Sequence, residues 1–597
     1  MLNQVNMARK IGIIFSLFLL ASCQYAPTNS SDIQPERSAS VGAKALTLQG
    51  KKYQALKAQG KSVSGAKWMI SAAHPLAVEA GAEVLRKGGT AADAAIATQA
   101  MLGLVEPQSS GLGGGGFIVW YDAVSGKVTT LDGRETSPAL ATEQLFMQPN
   151  GKPIAFFDAV VGGKAVGVPS MVRLMEAAHS RWGSVSFDVL FEGAIKTAEN
   201  GFKVSKRLAA LIDYDKKRLS SNAVAADYFM PNGNPLKAGE ILRNPLYANT
   251  LKNIVRYSAD SFYEGVLASD IVDAVTRHAN AGVLSLGDMR SYNVIERTPL
   301  CSNYHIYTVC GMAPPSSGGV VINQALSMLE PYKLSEMNAQ NPQAWRLIGD
   351  AMRLAFADRG CYIADPEKQV IPLGKLLDRS YLKNRSLLLQ GDKPLQNVRA
   401  GEFGVVAVEG RIFELPSTSH MSIMDSYGNA LSMTSSIENA FGSRVMVGGF
   451  LLNNQLTDFA FNPEKDGRRV LNRVEGGKRP MSSMSPTIVL KEGRPVLITG
   501  SPGGSRIIGY VLQSLIASLD WGMSPQEVAD MPRLVNRYDI YDVEDDAALD
   551  VLSNELESVG YEVKRKPLTS GMHIISVSEE VLLGGADPRR EGIVIAE

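Results

Sequence analysis

Antiparallel hairpins roofed by helices, an α+β arrangement, are expected from three features of the chain. Residues 418–425 and 430–437 alternate polar and apolar side chains on either side of an Asp-Ser-Tyr-Gly-Asn cluster, the pattern of a β-hairpin. The runs FIVWYD and KVTTLDGRETSPA, and later TIVLKEGRPVLITG, read as two further hairpins. Between 155 and 400, amphipathic spacing at 184–200, 265–280 and 342–360 alternates with turns such as GGKAVGVPS and APPSSGG, which suits helical cover for a sheet.

The chain of 597 residues is long enough for a large core, and its 60 basic and 60 acidic residues give no bulk-charge argument for nucleic acid or an anionic surface. Six histidines are scattered without ligand spacing, so no metal site is expected. Arg9 and Lys10 precede a short apolar run, residues 11–21, flanked as an export signal over 1–22. Leu-Ala-Ser-Cys23 resembles a bacterial lipobox, in which Cys23 becomes the lipidated first residue; the alternative is a plain signal peptide with an incidental cysteine. Gln24 after it resembles the outer-membrane sorting pattern, and residues 23–50 are expected to be the lipidated Cys and a Ser-, Pro- and Ala-rich tether. The expected location is the bacterial envelope, on the periplasmic side, held to the membrane by lipid alone. That compartment permits disulfides. Cys301 and Cys310 flank an alternating run and are either bridged or two free thiols, with Cys361 left over.

From His74 the spacing of Leu76, Ala77, Ala80, Val84 and Leu85 predicts a helix ending at Gly88-Gly89. Thr90 and Asp93 then form a capping-box pattern opening a second helix through Val105. The run Gly111–Gly116 formally contains GxGxxG, but it follows a helix and leads into a strand, so a dinucleotide site is rejected. Its glycines are expected to let backbone pass close behind a pocket. Arg134 follows the second strand of its hairpin; it is either a solvated surface charge or a fork for a carboxylate. Past the 418–437 hairpin come Asn453-Asn-Gln455-Leu-Thr-Asp458, Lys478-Arg-Pro-Met-Ser482-Ser483, and Gly500-Ser-Pro-Gly503-Gly504-Ser-Arg506 opening an amphipathic helix. Strand, glycine loop and helix together suggest an anion site of backbone N–H groups. Without a following Gly-Lys-Ser/Thr, an oxyanion hole is preferred to a phosphate loop.

A hairpin centred on Tyr427 sets Thr418 opposite Ser436. One reading is a cross-strand hydroxyl pair and nothing more. The other is a nucleophile made by cutting the chain between Ser417 and Thr418, because a Thr hydroxyl needs an adjacent base and a freed α-amine, of reference pKa about 7.7–8, supplies one on the same residue.

The ordered motifs AAHPLAVEAGAEVLRKGGTAADAA, GLGGGGF, DGRETSP, TSHMSIMDSYGNA, NNQLTDF, KRPMSSMSPT and GSPGGSRI, running from His74 to GADPRREG at 585–592, resemble the gamma-glutamyltransferase family of N-terminal-nucleophile hydrolases. That resemblance implies a four-layer αββα sandwich with two antiparallel sheets between helical layers. It implies a precursor that cuts itself into a larger piece, 51–417, and a smaller piece, 418–597, interlocked as one catalytic unit. It places the nucleophile on Thr418, its orienting partner on Ser436 and oxyanion donors on Gly503 and Gly504. The substrate α-carboxylate falls to Arg134, Ser482 and Ser483, and the α-amine to Glu438, Gln455 and Asp458. The implied substrates are γ-glutamyl amides such as glutathione, with water or an amino acid or dipeptide as acceptor, and no cofactor. The chain departs from many members in carrying Glu438 for Asn and Ser436 for Thr, and its 459–478 stretch is short and lacks a Tyr. Two other readings stay open: an acylase of this fold for glutaryl β-lactams or poly-γ-glutamate, and a non-catalytic envelope lipoprotein.

Overall fold

The computed structural model of the chain describes residues 46–404, 408, 410 and 417–597. Cys23, the export segment and the tether up to residue 45 lie outside the described residues. Two seven-stranded sheets, wholly antiparallel, form the centre. The first runs Ile593–Ala596, Met69–Ala72, Ser419–Met424, Ala430–Ser436, Gly115–Asp122, Lys127–Gly133, Ile295–Arg297. The second runs Val63–Gly65, Leu582–Ala586, His573–Val577, Arg494–Gly500, Thr487–Lys491, Tyr307–Gly311, Leu300–Tyr304. All three hairpins expected from alternation are present. Every strand of the first sheet that carries residues after 418 has Met69–Ala72 or Gly115–Asp122 as a neighbour, so the two parts of the chain interleave.

Alternation assigns the faces. In the first sheet Ile70, Met421, Ile423, Leu431 and Met433 turn outward onto the helices Pro75–Arg86 and Ala91–Val105. Trp120, on the same face, stacks on Trp182 at 4.8 Å from the helix Met171–Trp182. In the second sheet Val489, Leu497 and Ile574 face outward toward Gly318–Leu329 and Ile507–Leu519, with Pro342–Tyr362 packed on Gly318–Leu329 and Asp550–Ser558 on Pro342–Tyr362. The layers are therefore helix, sheet, sheet, helix. Between the sheets lies a polar seam in which Ser432 donates to the Thr499 carbonyl (3.0 Å) and Ser422 to the His573 carbonyl (2.9 Å). His420 pairs there with Thr434 (2.8 Å) and His573 with Ser71 (2.8 Å). Burial lowers the His420 pKa to about 3, so the seam is held by neutral imidazoles.

Three helical expectations need correction. The region 184–200 is not one helix: Met171–Trp182 precedes it and only Glu192–Asn200 is α-helical. Asp93 is the cause, since its carboxylate accepts from the N–H groups of Ser184 (2.9 Å) and Val185 (3.2 Å) and holds them in a turn. The 265–280 helix stops at Thr276. The helix Ile507–Leu519 is buried from Ile507 to Ala517 on every side, between the second sheet and other helices, so it is not amphipathic as expected. Thr90 and Asp93 form the expected capping box. Cys301 and Cys310 are bridged across their edge-strand pair, and Cys361 is free.

Candidate active site

The ladder runs from Ser419↔Ser435 to Met424↔Ala430, and one residue beyond its end the Thr418 and Ser436 hydroxyls meet at 3.0 Å. Ser436 Oγ also accepts from the Glu438 N–H (2.8 Å), which fixes its orientation. Thr418 lies just outside the strand at φ +97°, in the left-handed region that a β-branched residue avoids. Such strain persists only where the surroundings impose it, and it gathers at functional sites. Here the surroundings are explicit. Ser417 Oγ donates to the Gln108 carbonyl (2.8 Å), Arg590 Nη1 donates to the Thr418 carbonyl (3.0 Å), and Ser419 Oγ donates to Glu106 Oε2 (2.8 Å). Glu106 is buried between Arg207 (3.5 Å) and Arg590 (4.0 Å); burial raises its pKa and the two guanidiniums oppose that rise.

The GLGGGG run does bring backbone close behind this point. A Cβ on Gly114 would sit 2.1 Å from the Ser436 carbonyl, and one on Gly113 2.1 Å from that of Leu451. The loop after Arg494–Gly500 faces Thr418 across a narrow cleft lined by Thr418, Ser436, Glu438, Gln455, Asp458, Ser482, Ser483, Met484, Gly504 and Ile507. Gly503 stands directly behind Gly504; its φ of +142° and the Tyr510 ring, 2.6 Å from where a Cβ would be, both require glycine. Among the described residues no loop or turn bond consumes the N–H of Gly503 or Gly504, as an oxyanion hole needs.

Arg134 is completely buried, so the surface-charge reading fails. Its Nε donates to the Pro480 carbonyl (3.1 Å) and its Nη2 to the Met481 carbonyl (2.9 Å) and to Asp458 Oδ2 (2.5 Å). Asp458, expected on the α-amine side, thus touches Arg134, expected on the α-carboxylate side. A lone buried charge costs several kcal/mol, and the pairing offsets that cost. Gln455 Nε2 approaches the same Asp458 oxygen at 3.3 Å, and Glu438 accepts from the Asn454 amide. Glu438 has φ +73°, a second strained residue at the cleft. The structure therefore brings together all the expected site residues, with Arg134 and Gly503 one layer behind the lining.

Several supports of the site were not among the residues expected from the sequence. Arg479 donates to Asp132 (3.0 Å) and to the Arg134 carbonyl (2.8 Å), and Asp132 also accepts from the Arg134 N–H (2.8 Å), so the arginine fork is braced by its own motif and by KRPMSS. Arg444, buried on Asp215 (2.8 Å) and Asn439 (2.7 Å), anchors the turn that carries Glu438. Glu135 lies 3.7 Å from Arg134 with both carboxyl oxygens buried and lacking a hydrogen bond, and burial pushes its pKa up to about 8, so it is protonated at neutral pH. For Glu135 and Arg479 the one available signal is adjacency to Arg134 in DGRETSP and to the serines in KRPMSS. Arg590 lies in the closing GADPRREG but carried no expected role, and nothing in the sequence marks Glu106; they reach Thr418 and Ser419 from 172 and 313 residues away.

Residues 77–597 match the family model described as gamma-glutamyltranspeptidase. The glutathione hydrolase proenzyme of Bacillus subtilis is 38% identical over 543 residues, covering 88% of this chain and 91% of that one; its Escherichia coli counterpart is 34% identical over 534 residues, with 87% and 90% covered. An acylase proenzyme of Pseudomonas sp. is 32% identical, with 90% and 94% covered. Among solved structures, cephalosporin acylase from Bacillus halodurans superposes with a TM-score of 0.79 at 25% identity over 90% of this chain and 97% of that one. Helicobacter pylori gamma-glutamyltranspeptidase superposes with a TM-score of 0.54 at 32% identity over 56% and 95%. With the family model spanning most of its length, the chain belongs to the gamma-glutamyltranspeptidase family.

Proposed function

We propose that the protein is a self-processing gamma-glutamyltransferase and glutathione hydrolase whose nucleophile is Thr418, freed by cutting the Ser417–Thr418 bond. The observation that carries this reading is the Thr418–Ser436 hydroxyl pair at 3.0 Å, facing Gly504 across a cleft that also holds Asp458, Ser482 and Ser483. Thr418 Oγ1 gives its proton to its own α-amine and attacks the γ-carbonyl of the donor. Ser436 orients the attacking hydroxyl. The N–H groups of Gly503 and Gly504 donate to the tetrahedral oxyanion. The amine returns the proton to the departing nitrogen, Cys-Gly in the case of glutathione, and leaves a γ-glutamyl ester on Thr418. Water, or the amine of an amino acid or dipeptide, resolves that ester by the same route. Arg134, Ser482 and Ser483 take the donor's α-carboxylate, and Glu438, Gln455 and Asp458 its α-ammonium.

Before the cut the Thr418 nitrogen is an amide and offers no base. The strained φ at Thr418, the Arg590 bond to its carbonyl and the Ser417 bond to Gln108 support the cut at this peptide. The pieces, 51–417 and 418–597, remain one catalytic unit because their strands interleave. Cys23 is proposed as a lipid anchor holding the enzyme to the periplasmic side of the envelope, with residues 24–45 as its tether; the expected tether bound of 50 is too long, because Thr47 already caps the helix Leu48–Ala58 and bonds to Glu79. The likeness to acylases keeps a glutaryl donor as the second reading, and the carboxylate wall argues against it, because such a donor has no amine to bind there. Incubation of the purified protein with γ-glutamyl-p-nitroanilide, beside a denaturing gel and N-terminal sequencing, tests the proposal. A single uncut chain, or a new end elsewhere than Thr418, overturns it.

A further inference from the structure

A third, smaller sheet stands outside the central pair, with Leu534–Asn536 antiparallel and Glu562–Lys566 parallel to the strand Ile540–Glu544 between them. Asp542, on the middle strand, is buried and takes bonds from three cations. Arg506 Nε (2.8 Å) and Arg537 Nη2 (2.7 Å) donate to its Oδ2, and Lys566 Nζ pairs with its Oδ1. Arg537 lies on the turn before that strand, and its Nη1 donates to Ser505 Oγ. The turn is itself pinned from the helix Pro342–Tyr362, where Arg353 donates to the Tyr538 carbonyl (2.6 Å) and to Asp539 (3.0 Å). Ser505 and Arg506 are the two residues that follow Gly503 and Gly504, so the third sheet grips the glycine loop of the cleft at two consecutive side chains.

We propose that Arg537 is a positioning residue for the oxyanion hole, acting through Ser505. Gly503 and Gly504 stand at φ +142° and +61°. Glycine has the widest choice of backbone conformation, so the pair does not by itself fix where its N–H groups point. Donors to an oxyanion help most when they are held in place before the charge develops. The loop is accordingly held from both flanks. Upstream, the Gly571 N–H donates to Ser501 Oγ (3.2 Å), and Pro502 has a φ locked by its ring. Downstream, the planar fork of Arg537 bridges Ser505 and Asp542, while Asp542 also holds Arg506. A lysine at 537 would keep the charge and lose the fork.

This role rests on the reading of Gly503 and Gly504 as oxyanion donors, and two ligands of the processed enzyme separate the two claims. Norvaline has the α-carboxylate and α-ammonium of the donor but no γ-carbonyl, so it does not engage the oxyanion hole. A boronic acid in place of the donor's γ-amide does engage it: Thr418 Oγ1 forms a B–O bond, its proton passes to the α-amine, and the tetrahedral boronate carries the negative charge. On the unaltered enzyme the boronic acid should bind at least about 100-fold more tightly than norvaline. Equal affinities would overturn the underlying reading. Arg537→Met should raise the inhibition constant of the boronic acid roughly tenfold or more and lower kcat for γ-glutamyl-p-nitroanilide by a similar factor, with norvaline within about twofold of its unaltered value. Arg537→Lys should recover part of that loss. On a Ser505→Ala background the further effect of Arg537→Met should be less than about threefold, because the link to the loop is already broken. Equal weakening of both ligands would show a structural role alone and overturn the proposal, as would an unchanged constant for the boronic acid. Should Arg537→Met fail to fold or to be cut, Ser505→Ala is measured alone, and an unchanged ratio of the two affinities in that variant overturns the proposal as well.

Discussion

On one side of the cleft Thr418, immediately before one strand, meets Ser436, at the end of its neighbour, and the register of the two strands is fixed by six residue pairs. On the other, Arg134, Glu438, Asp458, Ser482 and Ser483 sit on separate connections between elements, held by Arg479, Arg444, Asn454 and Arg359. The first wall takes its geometry from a ladder, where position follows from counting residues. The second takes it from buried charge pairs and side-chain hydrogen bonds, where position follows from partners far away in the chain. A substitution in the first should therefore affect chemistry with little effect on folding, whereas one in the second should affect both.

The largest test of that contrast is Thr418→Ala, which should remain one uncut chain with no turnover yet keep its unfolding midpoint within the range of a surface substitution. Next comes donor choice. A glutaryl anilide lacks the α-ammonium, and sites built on such buried polar contacts reject the deletion analogue by up to roughly 10⁴-fold. Asp458 is already paired with Arg134, so most of this discrimination falls on Glu438, and Glu438→Gln should narrow the gap mainly by harming the γ-glutamyl substrate. Similar kcat/KM for the two anilides would assign the second wall to another ligand. Third, Arg134→Met removes the cation that Asp458 is buried against and should cost about 3–5 kcal/mol in denaturant unfolding, besides weakening the donor's binding. Ser436→Ala, on the ladder, should cost about 1 kcal/mol while lowering kcat. Equal destabilisation by the two would erase the distinction between the walls.

A smaller effect is expected from Glu135. Burial holds its pKa at about 8, above the ordinary 4.5, so the folded protein keeps a proton there that the unfolded chain has released. Its unfavourable contribution therefore grows as the pH rises from about 4.5 to 8 and is absent below that window. Glu135→Gln should stabilise the fold near pH 8 and change little near pH 4. A variant whose stability follows the unaltered protein across that range would show that Glu135 is charged and paired. Smallest in its effect on chemistry is Cys23→Ser, which should release the protein from membranes and abolish palmitate labelling with turnover in solution unaltered; continued labelling would refute the anchor.

Much of the fold was legible because strand alternation and capping residues are local. The Tyr427-centred turn gave the correct register, and Thr90 with Asp93 gave the correct helix start. The break before Glu192 was not legible, because Asp93 imposes it from about 90 residues away. The buried character of Ile507–Leu519 depends on what packs over its polar positions, which the helix's own spacing does not specify. In the site, motif order located the residues that face the cleft. It did not show that Arg134 and Asp458 are in contact, nor that Arg359 and Arg590 stand behind Ser483 and Thr418, since those relations exist only after the chain has closed on itself.

The strand Ile593–Ala596 lies beside Met69–Ala72, which lies beside Ser419–Met424, while Ala430–Ser436 lies beside Gly115–Asp122. Once the bond before Thr418 is broken, each fragment holds only part of either sheet: the smaller keeps four neighbouring strands of the second sheet, the larger three of the first, and Met69–Ala72 is left between two strands of the other fragment. Pulling them apart would expose strand edges on both, and reunion would require threading one fragment's strands back between the other's. The mature protein is thus durable by virtue of a high barrier to leaving its native state, and its heat inactivation should depend on the scanning rate and not reverse on cooling. The uncut Thr418→Ala chain, whose strands stay tethered in order, should recover from the same treatment more completely.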